Sequence, residues 1–284
     1  MAFDQSGGFS RGTAARLRCA DGTRAFAKAV TRGGDPYTVA LAEREAAVAG
    51  ALTPGFGLPA PAFRGSVESA GWFVLLFEDV EGDMAKVPWL PAELALVQRS
   101  LVTLAERATP SPLPGLPVWG GELEEWHGWN RLLADADPLR DVDSWTSRNA
   151  VRLAEAEAGF PAATAGDTLL HSDLRSDNIL LNGGQVTFVD WAWAARGQAW
   201  LDPMIFALCA AVQGHPDPEA VFAAHPSARA AEPAEVDSAL AALAGRFVVA
   251  ARQPVEWETA PVRAFQKAEA ATAIAWLRVR TGWR

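Results

Sequence analysis

Cysteine is nearly missing from this chain. Only Cys19 and Cys209 occur in 284 residues, so no disulfide framework can carry the fold. They fall in segments expected to lie in different parts of the structure, which points to free thiols packed as small apolar side chains in a reducing cytoplasm. The four histidines, His127, His171, His215 and His225, join them in no zinc-type spacing. Long apolar runs are missing as well. The longest, Met204 to Val212, is too short to cross a bilayer. The first residues, MAFDQSGG, lack the basic and apolar regions of a secretory leader. Positive charge is not in excess either: the formal net charge is −9. An acidic chain disfavours nucleic acid and anionic membrane surfaces as partners. The sequence therefore leads us to expect a cytoplasmic protein, monomeric or dimeric, that binds neither.

Half of the residues are apolar, enough for one or two full cores and against extended disorder. Charge is unevenly placed. Residues 1–80 hold eight basic and eight acidic residues, while 81–284 hold 17 and 26, so the whole net charge lies in the second part. Such a surface suits a cationic or hydroxyl-rich small molecule, although acidity also simply promotes solubility. Apolar periodicity predicts helices over Val39–Leu52, Ala92–Arg107, Glu122–Ala136, Ala150–Ala158, Met204–Gln213, Pro233–Ala251 and Pro261–Arg280. Strands are expected over Ala14–Cys19 and Thr23–Val30, joined at Asp21-Gly22. The predicted division is at residue 82: a strand-and-helix lobe over 1–82, and a mainly helical lobe over 83–284 that opens with a proline-rich stretch.

The densest local signal lies between His171 and Asp190. It runs His171-Ser172-Asp173-Leu174-Arg175-Ser176-Asp177-Asn178, then Ile179-Leu180-Leu181, and later Val186-Thr187-Phe188-Val189-Asp190. Asn182-Gly183-Gly184 between the two apolar runs is a hairpin signal. A hairpin returns the chain on itself and brings Asn178 and Asp190 to the same end. An Asn carbonyl and an Asp carboxylate there suit Mg²⁺, which takes hard oxygens and few protein ligands. A preceding Asp173 would meet a substrate hydroxyl. This is the layout of a phosphoryl-transfer site, in which the protein positions groups and neutralises phosphate charge.

Upstream residues fit the same chemistry. Gly7, Gly8, Ser10 and Gly12 form a glycine-rich turn whose backbone amides can cover phosphates; a merely flexible turn is the alternative. Lys28 sits mid-strand among apolar neighbours, where a charge is unfavourable without a partner. Glu45 and Glu43 on the following helix are both candidates for that partner.

These residues, His171-Ser172-Asp173-Leu174-Arg175-Ser176-Asp177-Asn178 and Val189-Asp190-Trp191, resemble the His-Gly-Asp-Leu-His-Pro-Gly-Asn and Ile-Asp-Trp signatures of the aminoglycoside phosphotransferase / choline kinase family. The resemblance spans nearly the whole chain. It implies an α+β, two-lobed protein-kinase-like fold, with an antiparallel-sheet N-lobe carrying one helix and a mainly helical C-lobe. It implies Asp173 as the catalytic Asp, His171 as support of its loop, Asn178 and Asp190 as Mg²⁺ ligands, and Lys28 on the phosphates of ATP or GTP, oriented by Glu45 in preference to Glu43. Gly8 and Ser10 would belong to the nucleotide loop. Leu75 to Gly82 looks like the hinge, where backbone groups of Glu78 and Val80 would hold the base, and Asp202 matches an Asp that braces the catalytic loop.

Departures from the family pattern are informative. Arg175 replaces a His and could touch the transferred phosphate. Trp191-Ala192 after Asp190, and the absence of an Ala-Pro-Glu segment, point away from a protein kinase. Twelve tryptophans against one tyrosine suggest aromatic faces for a ligand, with Trp126, Trp129 and Trp193 as the candidates and core packing as the alternative. The implied activity is Mg²⁺-dependent transfer of the γ-phosphate of ATP or GTP to a hydroxyl of a small molecule. The acceptor expected is an antibiotic, such as an aminoglycoside, a nucleoside or another sugar-bearing compound. A metabolic kinase of a sugar or amino alcohol, and a nucleotide-binding protein without transfer activity, are the alternatives.

Overall fold

The computed structural model describes residues 2–4, 12–52, 57–121, 126–135, 139–255 and 260–284. Contacts gather the chain into two compact units: Met1–Leu116 with Asp167–Ala195, and Pro117–Gly166 with Arg196–Arg284. Within the first unit, the short strand just after residue 82 pairs with the hairpin over residues 179–188.

The first unit is built on a five-stranded antiparallel sheet in the order β1-β2-β3-β5-β4, formed by β1 (Ala2–Asp4), β2 (Thr13–Arg18), β3 (Arg24–Thr31), β4 (Phe63–Ser69) and β5 (Trp72–Glu78). The strands expected over 14–19 and 23–30 match β2 and β3 to within a residue; β1, β4 and β5 lie outside the strands expected from sequence. Helix α1 (Pro36–Ala51) covers the sheet. It begins three residues before the periodicity does, because Asp35 caps it, accepting hydrogen bonds from the N–H groups of Tyr37 and Thr38, and Pro36 opens its first turn. Ala42 and Ala49 of α1 bury against Phe73, Leu75 and Phe77, with Phe26, Val30 and Phe63 around them. Small helix residues opposite large strand residues let the two layers close.

A second, three-stranded sheet in the same unit has the order β6-β8-β9, from β6 (Asp83–Met84), β8 (Ile179–Asn182) and β9 (Gln185–Phe188). The hairpin between β8 and β9 turns on Gly183 and Gly184, at φ 55° and 85°. Two left-handed residues in succession match the strand twist, and glycine takes them without penalty. Helix α2 (Pro91–Arg107) and β7 (Thr168–Leu170) complete the unit. The α2 end is tied to β7 by Leu169 N–H donating to Ala108 O at 2.9 Å.

The second unit is helical: α3 (Gly128–Leu133), α4 (Ser144–Ala158), α5 (Phe160–Thr164), α6 (Leu201–Val212), α7 (Pro218–Ala223), α8 (Pro226–Ala230), α9 (Pro233–Ala251) and α10 (Ala260–Thr281). Part of the helix expected over 122–136 lies outside the described residues. Helix α9, with bounds as its sequence predicts, is buried on most of its circumference and α3, α4, α5 and α10 pack on it. Alanine and glycine make this possible. A Cβ on Gly128 would lie 2.2 Å from the backbone carbon of Gly245, so α3 and α9 meet main chain to main chain.

Beside that contact lies Glu157, fully enclosed. Its carboxylate accepts the Trp129 N–H at 3.1 and 3.2 Å and the Asn130 N–H at 3.4 Å, closing the exposed amides at the start of α3. Burial pushes its pKa up from 4.5 to about 7, against these hydrogen bonds, which favour the anion. Between those two values the folded state holds a proton that the unfolded state has lost, so this residue's contribution to stability falls as pH rises through that window. Glu157→Gln keeps an acceptor oxygen and removes the charge. We expect its stability advantage over the parent to be near zero at pH 4.5 and to grow to on the order of 2–3 kcal/mol by pH 8, read as the difference in chemical-denaturation midpoints. A difference that does not change with pH would contradict this.

Candidate active site

Four sequence segments of the first unit supply the site. β3 presents Lys28 on the α1-facing side, opposite Ala14 of β2 and Leu75 of β5. From α1, Glu45 reaches it: Lys28 Nζ donates to Glu45 Oε1 at 2.7 Å and Oε2 at 3.0 Å. Glu43 is not the partner. Two residues apart on a helix point to nearly opposite sides, and Glu43 pairs instead with Arg32. The third group is Asp190, whose Oδ1 accepts from Lys28 Nζ at 2.7 Å.

Charge and burial decide how these groups titrate. Burial would lower the Lys28 pKa, yet Glu45 and Asp190 together hold it above its ordinary value. Glu45 is raised, chiefly by burial and further by Asp190, with Lys28 opposing. Asp190 is lowered: burial works against ionisation, and Lys28 outweighs it. The lysine thus stays charged, and Asp190 is the carboxylate most firmly ionised beside it.

The hairpin does what its sequence predicts. Ile179 stands opposite Phe188, and Val189 N–H donates to Asn178 O at 2.9 Å. Asn178 and Asp190 therefore sit at the same open end. Asp190 is left-handed, φ 67°, an unfavourable conformation for a residue with a Cβ and one that gathers at functional sites. So is Ser172, also at φ 67°, in the place where the family signature has glycine.

Asp173 lies between those two positions. Asn178 Nδ2 donates at 2.9 Å both to the Asp173 backbone carbonyl and to its Oδ2. These contacts fix which way the amide faces and leave Asn178 Oδ1 clear of them. Burial pushes the Asp173 pKa up to about 6, with Asp190 and Asp177 adding and Arg175 opposing. His171 is fully buried. Its Nε2 bonds Val189 O at 2.9 Å, and its Nδ1 accepts the Asp173 N–H at 3.3 Å. It thereby ties the loop that carries Asp173 to the strand that ends at Asp190. Arg175 Nη1 stands 3.6 Å from Asp173 Oδ1, but its firm partner is Asp177, by two parallel bonds of 3.0 and 2.9 Å. The Arg-x-Asp spacing is the signal for this pair in the sequence.

Other sequence candidates fall elsewhere. Gly8 and Ser10 lie outside the described residues. Glu78 ends β5, and its N–H is taken by Ala62 O at 2.9 Å; any base would meet its carbonyl. Val80 follows in the connector. Trp193 packs edge-on against Tyr37, centroids 5.9 Å apart, a partner on α1 that no local sequence pattern singles out. Trp126 and Trp129 are corrected: both are core residues of the helical unit. Trp126 stacks on Phe160 and packs at a tilt against Trp119, and Trp129 is 0% exposed with its indole N–H on Ala241 O at 2.7 Å. Neither leaves a face for a ligand. Asp202 is buried in the first turn of α6.

Comparison with known proteins places this geometry. The model of the phosphotransferase enzyme family matches residues 8–237, and the chain belongs to that family. Among solved structures it is similar to an aminoglycoside phosphotransferase from Alicyclobacillus acidocaldarius, at 17% identity and TM-score 0.61 over 99% of this chain and 91% of that one. A choline/ethanolamine kinase family protein from Mesorhizobium loti matches at 17% identity and TM-score 0.61 over 98% and 88%. The amicoumacin kinase hAmiN, in complex with AMP-PNP, Ca²⁺ and Ami, matches at 13% identity and TM-score 0.58 over 95% and 88%. A search of curated sequences finds no match. The fold is thus protein-kinase-like, and the enzyme is a small-molecule kinase by class. Among the described residues no helix is long and apolar enough to cross a membrane.

Lys28→Met would leave the buried Glu45, and the partly exposed Asp190 beside it, without their cation. We expect a loss of about 3 kcal/mol in stability, recovered in large part by Lys28→Met combined with Glu45→Met. Thermal melts of the single and double variants decide this; equal melting temperatures for Lys28→Met and the parent would contradict it.

Proposed function

We propose that the protein is a Mg²⁺-dependent O-phosphotransferase that moves the γ-phosphate of ATP or GTP to a hydroxyl of a small molecule. The observation that carries this is the convergence of four separate segments: Lys28 bonds Glu45 and Asp190, Asn178 bonds Asp173, and the Val189 N–H, next to Asp190, donates to Asn178 O.

The donor set fits the metal. Asp190 commits one oxygen to Lys28, Asn178 turns its nitrogen to Asp173, and a carboxylate and a carbonyl oxygen are left at the same end of one hairpin. Two hard oxygens, with water and phosphates completing the shell, are what Mg²⁺ accepts. When bound, the ion supplies neutralisation of phosphate charge. Lys28 adds a fixed cation, held in place by Glu45. Asp173 accepts a hydrogen bond from the acceptor hydroxyl and takes its proton late. Asn178 keeps the Asp173 carboxylate oriented, and His171 keeps the loop in register. Arg175, clasped by Asp177, offers a guanidinium edge to the phosphate oxygens. In this reading residues 1–82 hold the nucleotide, with Gly8, Ser10 and the backbone of Glu78 and Val80, and residues 83–284 hold the catalytic groups and the acceptor. Trp193, partly buried and packed edge-on against Tyr37, remains a candidate acceptor contact.

The acceptor we propose is an antibiotic with a sugar-like hydroxyl. Two of the similar structures are named for antibiotics, and the acidic second part of the chain favours cationic compounds. A choline/ethanolamine kinase family protein is equally similar, which keeps a sugar or amino alcohol as the second reading. Mass spectrometry of a panel of aminoglycosides, nucleoside antibiotics, sugars and amino alcohols, with Mg²⁺ and ATP or GTP, tests both. One acceptor gaining a single phosphoryl group identifies the substrate. Nucleotide binding without turnover on any acceptor would favour a binding-only protein.

Asp173→Asn is expected to lower kcat about a hundredfold or more with nucleotide affinity nearly intact, and Asp190→Ala to abolish transfer. Because Asp173 must be ionised to accept a proton, and its folded pKa is about 6, activity should fall as pH drops through 6 rather than through the usual range near 4. An acid limb near pH 4, or full turnover in either variant, would count against the assignment.

A further inference from the structure

Asp79, between Glu78 and Val80 in the connector after β5, is more enclosed than its position suggests. Its side chain is 3% exposed. Two guanidinium groups from adjacent strands close on it. Arg16 of β2 places Nη1 3.1 Å from Oδ1. Arg24 of β3 places Nη2 2.6 Å and Nε 2.7 Å from Oδ2. Arg24 also reaches Glu81 at 3.0 Å, but Glu81 is largely exposed and contributes little. Both oxygens of a desolvated carboxylate are thus occupied, at a place where the chain leaves the sheet.

The register shows what this clasp is aligned with. Arg16 stands opposite Phe26, and Ala14 opposite Lys28. Side chains two apart on a strand share a face, so Arg16, Arg24, Phe26 and Lys28 lie on one face of the sheet. Lys28 lies four residues beyond Arg24, about 13 Å of strand. That is the reach of an extended nucleotide from its base to its phosphates. At the connector, Glu78 is fixed by pairing with Ala25 and by the bond to Ala62. Val80 makes no backbone hydrogen bond among the described residues. A buried ion pair is poor value for stability alone. Fixing a backbone edge before a ligand arrives lowers the cost of binding it.

We propose that Asp79 is a positioning residue for the donor's base: by clasping Arg16 and Arg24 it locks the connector to β2 and β3, so that the backbone edge of Glu78 and Val80 is held at a set distance from Lys28. This rests on the reading of the connector given above. The clasp touches neither the acceptor nor the transferred phosphoryl group, so it acts on nucleotide affinity and not on the chemical step.

Steady-state kinetics of Asp79→Asn and of Arg24→Gln, with the acceptor that the panel identifies, test it. Arg24 is half exposed, so Arg24→Gln keeps the test available if Asp79→Asn folds poorly. The expected result is a rise of about tenfold in the nucleotide KM in each variant, kcat within twofold of the parent, and return of KM to within threefold in Asp79→Glu, which restores the charge. An unchanged KM in both variants, or a kcat that falls in step with the rise in KM, overturns the proposal. Parent turnover that Asp173→Asn abolishes supports the site reading independently, so failure of the clasp and failure of the site are told apart.

Discussion

A lysine enclosed between two carboxylates organises the first unit. Lys28 sits on the central strand of the five-stranded sheet, Glu45 on the helix that covers the sheet, and Asp190 at the end of a different hairpin. None of the three charges is tolerable in that place alone. Together they fix the distance from strand to helix and from helix to hairpin. Packing between Ala42, Ala49 and the strand aromatics gives α1 its adhesion to the sheet, but apolar contact has no preferred direction. The ion pairs supply the direction, and with it the position of the carboxylate that we assign to the metal.

Around that centre, groups are held by backbone bonds more than by side-chain pairs. His171 bridges the Asp173 loop and the Val189 carbonyl. Asn178 bonds the Asp173 carbonyl as well as its carboxylate. Ser172 and Asp190 are both left-handed. This strain is sustained by the bonds on either side of it, and it aims two carboxylates from neighbouring segments in a way that an extended backbone would not. Burial pushes both carboxyls up; at Asp173 an amide and a more distant guanidinium do not offset it, and at Asp190 the lysine outweighs it.

The helical unit solves a different problem. Its central helix is rich in alanine, and its neighbours approach until backbones touch at Gly128 and Gly245. Large side chains then fill the remaining space, which accounts for Trp119, Trp126 and Trp129 among the buried residues. The tryptophan-rich composition, which suggested ligand-stacking faces, is at these positions a packing device. Glu157 is the exception within that core, a carboxylate kept for the amides of α3 and carrying a titration near neutrality as a consequence.

The sequence by itself determined the nature of the site and much of the fold. Helix α9 was legible to the residue, because a proline and a long alanine-rich period mark it, and the Gly183-Gly184 turn was legible because two successive left-handed residues admit few alternatives. The hairpin then placed Asn178 and Asp190 together by arithmetic of register. Tertiary structure decided what local patterns cannot encode. It chose Glu45 over Glu43, a matter of which side of a helix meets the sheet. It put Trp126 and Trp129 in a core and Trp193 against Tyr37, since an aromatic side chain reads the same whether buried or not. It drew Arg16 and Arg24 from two strands onto Asp79 in the connector after a third, because an ion pair between residues more than fifty apart is settled by which strands become neighbours.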